Sequence, residues 1–219
     1  MRDFYKILLL SQSGKGKTMS FRNMNPETTG FINIENKPLP FKNEFKYHFR
    51  PAGRVPGDDL RDIENTLIEY TKNPEINAIV IDSISTLTDI VLAQAKKMYK
   101  GFDVWNFYNT EIAKFLNLIK RIPKEVFVTG HYEILGVEGA PEKRAKVKGK
   151  EWEGVLEKEF TVVLYGTSKA KENGRPDYFF NLYEEDSSSK CPPGIFGEEV
   201  IQIPNDSNLV LNQILEFTK

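Results

Sequence analysis

Ile7–Leu10 (ILLL) is a continuous apolar run that leads directly into Ser11-Gln12-Ser13-Gly14-Lys15-Gly16-Lys17-Thr18. Such a run suits a parallel strand buried on both faces. A Gly/Ser/Lys loop at its carboxyl end lies where open parallel sheets bind ligands. The loop reads as G-x-x-x-x-G-K-[ST], with Ser11 in the first glycine position. Gly14 and Gly16 let the backbone wrap tightly, so that successive N–H groups point inward at an anion. A helix expected to start here adds its positive end to the same place. Lys17 can reach the β- and γ-phosphates of a nucleotide, and the Thr18 hydroxyl can ligate Mg²⁺. Gln12, Ser13, Gly14, Lys15, Gly16, Lys17 and Thr18 are therefore the candidate nucleotide-binding residues. Ser11 fits its position only if it keeps a negative φ. The competing reading is a Gly/Lys-rich surface turn.

The rest of the chain alternates strand and helix patterns. Strands are expected at Gly30–Ile34, Phe45–Phe49, Ala78–Ile81, Val126–Thr129 and Thr161–Leu164, with a late hairpin arm at Tyr178–Tyr183 and Gly174 in the turn before it. Leu60, Ile63, Leu67 and Tyr70 mark one helix, capped by Asp58-Asp59 and stopped at Asn73-Pro74. Further helices are expected over 86–98, 104–122 (with Trp105, Tyr108, Ile112, Phe115, Leu116 and Ile119 on its apolar face) and 209–217. Alternation of this kind implies a mainly parallel sheet covered by helices. A length of 219 residues fits one domain over the whole chain.

Composition removes several classes. The chain is 40% hydrophobic and 28% charged, and 30 Lys/Arg against 31 Asp/Glu leave a net charge of −1. Global disorder and a polybasic binder are excluded, although a local basic patch is not. Apolar runs fall far short of the ~20 residues of a membrane helix, and the start has no signal-peptide pattern. A single cysteine, Cys191, and two histidines, His48 and His131, argue against a disulfide framework and a zinc enzyme. A cytoplasmic location is the expectation.

Three further residues fall at strand ends. Asp82 closes AIVI and suits a carboxylate that holds Mg²⁺, or alternatively an N-cap for the next helix. Glu35 ends the second strand, 17 residues after Thr18, and can orient and deprotonate a water. Its alternatives are a solvated strand-end glutamate, or Glu133 or Glu44 in its place. His131 follows VFVTG and is either a γ-phosphate sensor or a turn histidine.

SQSGKGKT, GFINIE, AIVIDSIS, WNFYNTEIAKFLNLIKRIPKEVFVTGH and the late SSSKCPPGIFGEEVIQIPND together resemble the RecA-like branch of P-loop ATPases. More narrowly, the chain is similar to small phage-encoded RecA-core ATPases of the Sak4 single-strand annealing and recombination type, in the AAA_24-like nucleotide-binding family. The resemblance implies an α/β RecA-like core with a C-terminal β-hairpin, ATP and Mg²⁺ as cofactors, and catalysis by Glu35, Lys17 and His131, with Thr18 and Asp82 at the metal. It implies single-stranded DNA as partner, a homo-oligomeric ring or filament, and contact with a single-strand-binding protein. It also implies two DNA-facing segments. One is Lys96-Lys97-Met98-Tyr99-Lys100-Gly101-Phe102. The other carries Lys143, Arg144, Lys146, Lys148 and Lys150. Lysines neutralise phosphates and aromatics stack on bases; the alternative for both segments is a solvated charged loop. Lys169, Lys171 and Arg175 are candidates for a cation that completes a neighbour's site, and Lys190 and Pro193-Gly194 for the adenine side. A small-molecule P-loop kinase and a non-hydrolysing ATP-binding scaffold are the competing functions.

Overall fold

The structure is a computed structural model that describes residues 2–42, 44–53, 58–137 and 140–219. The first strand, β1 (Lys6–Ser11), is followed by the glycine loop and a six-residue 3-10 turn over Thr18–Asn23. Strands β2 (Thr29–Asn33) and β3 (Tyr47–Phe49) precede helix α1 (Asp58–Lys72) and strand β4 (Ala78–Asp82). Two long helices follow, α2 (Ile84–Met98) and α3 (Asp103–Arg121). Strand β5 (Glu125–Gly130) leads into a ribbon of β6 (Tyr132–Val137) and β7 (Ala140–Ala145). Strands β8 (Val162–Lys169) and β9 (Asp177–Asn181), the single turn α4 (Pro193–Phe196), β10 (Gln202–Pro204) and helix α5 (Ser207–Phe217) complete the chain.

Eight strands form one sheet in the order β10-β9-β8-β1-β5-β4-β2-β3. The pairs from β8 through β3 are parallel, while β9 pairs antiparallel with both β8 and β10. The alternation read from sequence thus yields the mainly parallel, helix-covered sheet expected of it. β1 lies in the middle, buried along its whole length. Its side chains alternate between two cores, as the pleat dictates. Leu8 and Leu10 join Ile79, Ile81 and Val128 under α1, α2 and α3. Ile7 and Leu9 join Phe21, Phe31, Val80 and Phe127 under α5. With both faces covered, only the carboxyl edge of the parallel strands is open for chemistry.

Several elements depart from the sequence reading, each for a local reason. The helix expected after the glycine loop is only the 3-10 turn, because Asn25-Pro26 follows at once and proline cannot continue a helix. Helix α5 starts earlier than expected, because Asp206 caps it through bonds from Asn208 N and Leu209 N at 2.9 and 3.4 Å. Trp105 is not buried on the apolar face of α3. It sits in the first turn, with its ring edge-on to Tyr108 at 5.8 Å. The segment expected as a loop from 143 is strand β7 as far as Ala145. The ribbon, α4 and β10 have no counterpart in the sequence reading. Among the described residues no helix is long and apolar enough to cross a membrane.

Candidate functional site

β1 delivers Ser11 to the open edge, and Ser11 stays in the strand with no left-handed φ, so it satisfies the condition set for it. Gly14 (φ 74°) and Gly16 (φ 83°) both adopt the left-handed conformation that favours glycine. Gly16 is also pressed from behind: a Cβ there would lie 3.1 Å from the Tyr178 ring. The loop curls over Lys17, which is only 8% exposed. Its Nζ donates to Ser11 O at 3.3 Å and lies 3.2 Å from His131 Nδ1. Burial lowers the Lys17 pKa, with Asp82 and Glu35 pulling it back up. Burial and the Lys17 charge hold His131 below its ordinary range. Its Nδ1 lies 3.2 Å from both Lys17 Nζ and the Ser11 carbonyl oxygen, so the ring is held between the lysine and the end of β1.

Asp82 ends β4 and is 2% exposed. One carboxylate oxygen accepts from Thr18 Oγ1 at 2.8 Å, and the other from the Thr129 hydroxyl at the end of β5. Burial pushes its pKa up, and the two hydroxyl donors oppose that. The N-cap alternative for Asp82 is resolved by its neighbour. Ser83, joined to it by a cis peptide, caps α2 by accepting from Thr86 N, which leaves the Asp82 carboxylate free to face Thr18. The Ser83 hydroxyl also donates to Glu35 Oε1 at 3.2 Å. The backbone N–H groups of Ile34 and Glu35 both bond to Asp82 O, at 2.7 and 3.2 Å, so the ends of β2 and β4 move as one. Lys37 Nζ lies 2.9 Å from Glu35 Oε2. Burial raises the Glu35 pKa, but the Lys37 hydrogen bond and charge, Ser83 and Lys17 outweigh it, and the net shift is downward. Glu35 is thus ionised at neutral pH, the state a general base needs.

Gly14, Lys17, Thr18, Glu35 and His131 line one cavity of about 530 Å³. The rival bases are elsewhere. Glu44 is exposed on a connecting loop, and Glu133 is opposite Arg144 in the β6–β7 ribbon. The residues present fit ATP and Mg²⁺. Lys17 is a nearly buried ammonium whose partners are carbonyls, a hydroxyl and an imidazole, with no carboxylate ion pair among the described residues. Thr18 and Asp82 offer hard oxygen donors side by side, as Mg²⁺ requires. Among the described residues no cluster of three or more His, Cys, Asp or Glu could hold a metal alone.

The AAA_24 family, described as an AAA domain, matches residues 3–191. The chain belongs to this family. Among solved structures, the KaiC-like protein of the hyperthermophilic archaeon Pyrococcus horikoshii OT3 aligns with a TM-score of 0.50 and 14% identity, over 81% of this chain and 78% of that one. At that identity the likeness is one of fold, and it agrees with the RecA-like sheet order. None of the curated proteins matches. The chain is a RecA-like P-loop ATPase domain.

The other candidates are dispersed over the AAA domain. Lys143 pairs with Glu184 and with Asp186, and Arg144 pairs with Glu142 and bonds to Ser188 Oγ at 2.9 Å. Both are tied down on the ribbon. Lys146 and Lys148 are exposed and share a cleft of about 430 Å³ with Gln12, Ser13, Ser85, His131 and Asp89, which pairs with Lys148 at 3.8 Å. The wiring there is direct: Ser85 Oγ accepts from His131 N at 3.0 Å, and Lys146 N bonds to His131 O at 2.7 Å. Lys96, Lys97, Tyr99 and Lys100 are exposed at the end of α2. A third cleft brings Phe102 and Trp105 together with Lys150, although Glu151 and Glu153 line it too.

Of the candidate neighbour-completing cations, Lys169 lies over the Phe179 ring and Lys171 pairs with Asp177 at 2.7 Å. Arg175 instead lines the nucleotide cavity of its own chain. Lys15, expected at the phosphates, donates to Ser168 Oγ at 2.9 Å. Pro193-Gly194 does not reach the cavity, because Gly194 packs against Phe217. Lys190 is engaged in a bridge to Val163. The AAA-domain site also uses residues that the sequence reading missed: Thr129, Ser83, Lys37 and Tyr178. Only Thr129 carried a signal, as a hydroxyl closing an otherwise apolar strand.

Proposed function

We propose that this domain hydrolyses ATP with Mg²⁺ and couples the hydrolysis to single-stranded DNA, as in phage-type recombination, annealing or replication. The observation that carries the hydrolytic half is the Thr18–Asp82 contact at the head of the glycine loop, with ionised Glu35 held beside it through Ser83. Loop N–H groups and Lys17 bind the β- and γ-phosphates. Thr18 and Asp82 would hold Mg²⁺, which would offset phosphate charge when bound. Glu35 takes the proton of the water that attacks the γ-phosphorus, as the bond to the β–γ bridging oxygen breaks. Lys17 stabilises charge at the transferred group, and the His131 ring lines the same cavity beside it.

The coupling half is supported by the cleft that Lys146 and Lys148 share with Gln12, Ser13 and His131. A strand bound at these lysines has a short hydrogen-bonded route to the γ-phosphate through Ser85 and His131. Lys96, Lys97 and Lys100, with Tyr99, Phe102 and Trp105, supply further cations and stacking faces. A homo-oligomeric ring or filament, and docking to a single-strand-binding protein, belong to the same reading.

The test is a salt titration of single-strand affinity, with and without a non-hydrolysable ATP analogue. Each phosphate contact contributes roughly −0.7 to the slope of log K against log salt. Neutralising Lys146, Lys148 and Lys150 together is expected to flatten that slope by about 2 and to remove the tightening by ATP. Neutralising the ion-paired Lys143 and Arg144 is expected to change the slope less. A slope unchanged in the triple variant contradicts the DNA reading of these three lysines and leaves Lys96, Lys97, Tyr99, Lys100 and Phe102 as the remaining surface.

A further inference from the structure

The nucleotide cavity runs across the sheet edge and has two unlike ends. Glu35, Asp82 and His131 lie over β2, β4 and β5, which is the hydrolytic side. On the other side of β1 the sheet continues through β8, β9 and β10. A triphosphate whose γ end faces Glu35 must send its nucleoside toward that second side. There Tyr178 and Arg175 line the cavity. Behind Tyr178 lies Asn205, at the end of β10, with its Oδ1 only 3.3 Å from where a Gly16 Cβ would be.

Asn205 is unusual in being fixed yet unsatisfied. Its backbone N–H bonds to Tyr178 O at 3.0 Å, and its carbonyl accepts from Arg22 at 3.0 Å. The residue is 3% exposed, and neither its side-chain oxygen nor its side-chain nitrogen has a hydrogen-bond partner among the described residues. An unpaired buried amide is disfavoured by desolvation and calls for an explanation. Here it abuts a phosphate-loop glycine and an aromatic ring at the nucleoside end.

We propose that Tyr178 and Asn205 form the nucleobase end of this pocket, with the tyrosine ring as the stacking surface and the Asn205 amide as the group that reads the base edge. This rests on the nucleotide reading above and adds its specificity. One side-chain amide offers a donor and an acceptor together, which matches an adenine ring nitrogen and its N6 amino group. Tyr178 is half-buried and lines the cavity, whereas Asn205 does not, so the Tyr178 side chain must turn off Gly16 for the amide to reach a base.

The chemistry dictates the test. A carboxylate presents acceptors only, and so suits the N1–H and N2 amino group of guanine instead. ATP and GTP affinities are measured separately for the parent, Asn205→Asp, Asn205→Leu, Tyr178→Phe and Tyr178→Ala, with thermal melts reporting folding. Asn205→Asp is expected to shift the ATP:GTP affinity ratio about tenfold or more toward GTP. Asn205→Leu is expected to weaken ATP about tenfold while leaving the melting temperature unchanged or raised, because an apolar group of similar size replaces an unpaired amide. Tyr178→Phe keeps ATP affinity, and Tyr178→Ala loses roughly tenfold. A ratio within twofold of the parent in both folded Asn205 variants overturns the proposal. If those variants do not fold, unchanged ATP affinity in Tyr178→Ala overturns it. A parent that binds ATP in a Lys17-dependent way with an unmoved ratio refutes the base assignment alone, whereas a folded parent that binds neither nucleotide refutes the nucleotide reading as well.

Discussion

Lys17→Ala is expected to lower ATP turnover by about 10²–10³-fold, the scale for removing one preorganised charge at a reacting group, and to weaken nucleotide binding at least tenfold, as for loss of a charge-assisted bond. The fold should survive. Burial holds the Lys17 pKa below its ordinary value. A lysine pKa lower in the folded than in the unfolded chain means that charging Lys17 opposes folding. Its penalty is present at neutral pH and fades as pH rises through the folded pKa. Alanine removes that penalty, so the melting temperature is expected to stay level or rise while activity is lost. This is the pattern of a residue kept for chemistry at the expense of stability. Phosphate release and a thermal melt on the same preparation check both halves, and parent-like turnover in a folded Lys17→Ala protein contradicts the phosphate-loop assignment.

Glu35→Gln is expected to leave ATP affinity within about twofold and to cut hydrolysis by roughly 10²–10⁴, the range for removing a general base. The amide keeps the acceptor that Ser83 donates to, so the β2–β4 connection is preserved. Because the Glu35 pKa is lowered, the carboxylate stays ionised at and above the ordinary glutamate value. The acid limb it imposes on kcat/KM should lie below that value, and the rate should not fall through a glutamate titration between pH 6 and 8. Normal hydrolysis by Glu35→Gln would show that the base is another group.

The parts of this site that were legible in sequence are those in which a local pattern dictates a local shape. ILLL followed by GKGKT specifies a buried strand and a tight glycine turn within a dozen residues, and both are where the pattern put them. GFINIE and AIVID delivered Glu35 and Asp82 to the same edge for the same reason. At Asp82 the phosphate loop upstream favoured a metal ligand over a helix cap, and in the structure the cap is taken by Ser83, which either residue type can do. The lysines from 143 read as a loop because charge dominates their composition. Yet Lys143 and Arg144 find carboxylates at Glu184, Asp186 and Glu142, and the strand persists. Tyr178 and Asn205 were invisible as a site. Their meeting with Gly16 spans most of the chain and is made by the antiparallel strands β9 and β10; Asn205 lies in the late segment SSSKCPPGIFGEEVIQIPND that carried part of the resemblance, but nothing local in it points to Tyr178 or Gly16.

The central claim is that one edge of this sheet hydrolyses ATP and that single-stranded DNA controls the rate. Its most direct test is steady-state phosphate release from ATP by the purified protein, with Mg²⁺ or with a chelator, and with or without single-stranded DNA. The account predicts release that requires Mg²⁺, rises when single-stranded DNA is added, and needs no second phosphate acceptor. A folded protein that binds ATP but releases phosphate no faster with Mg²⁺ and DNA than with chelator alone would contradict it.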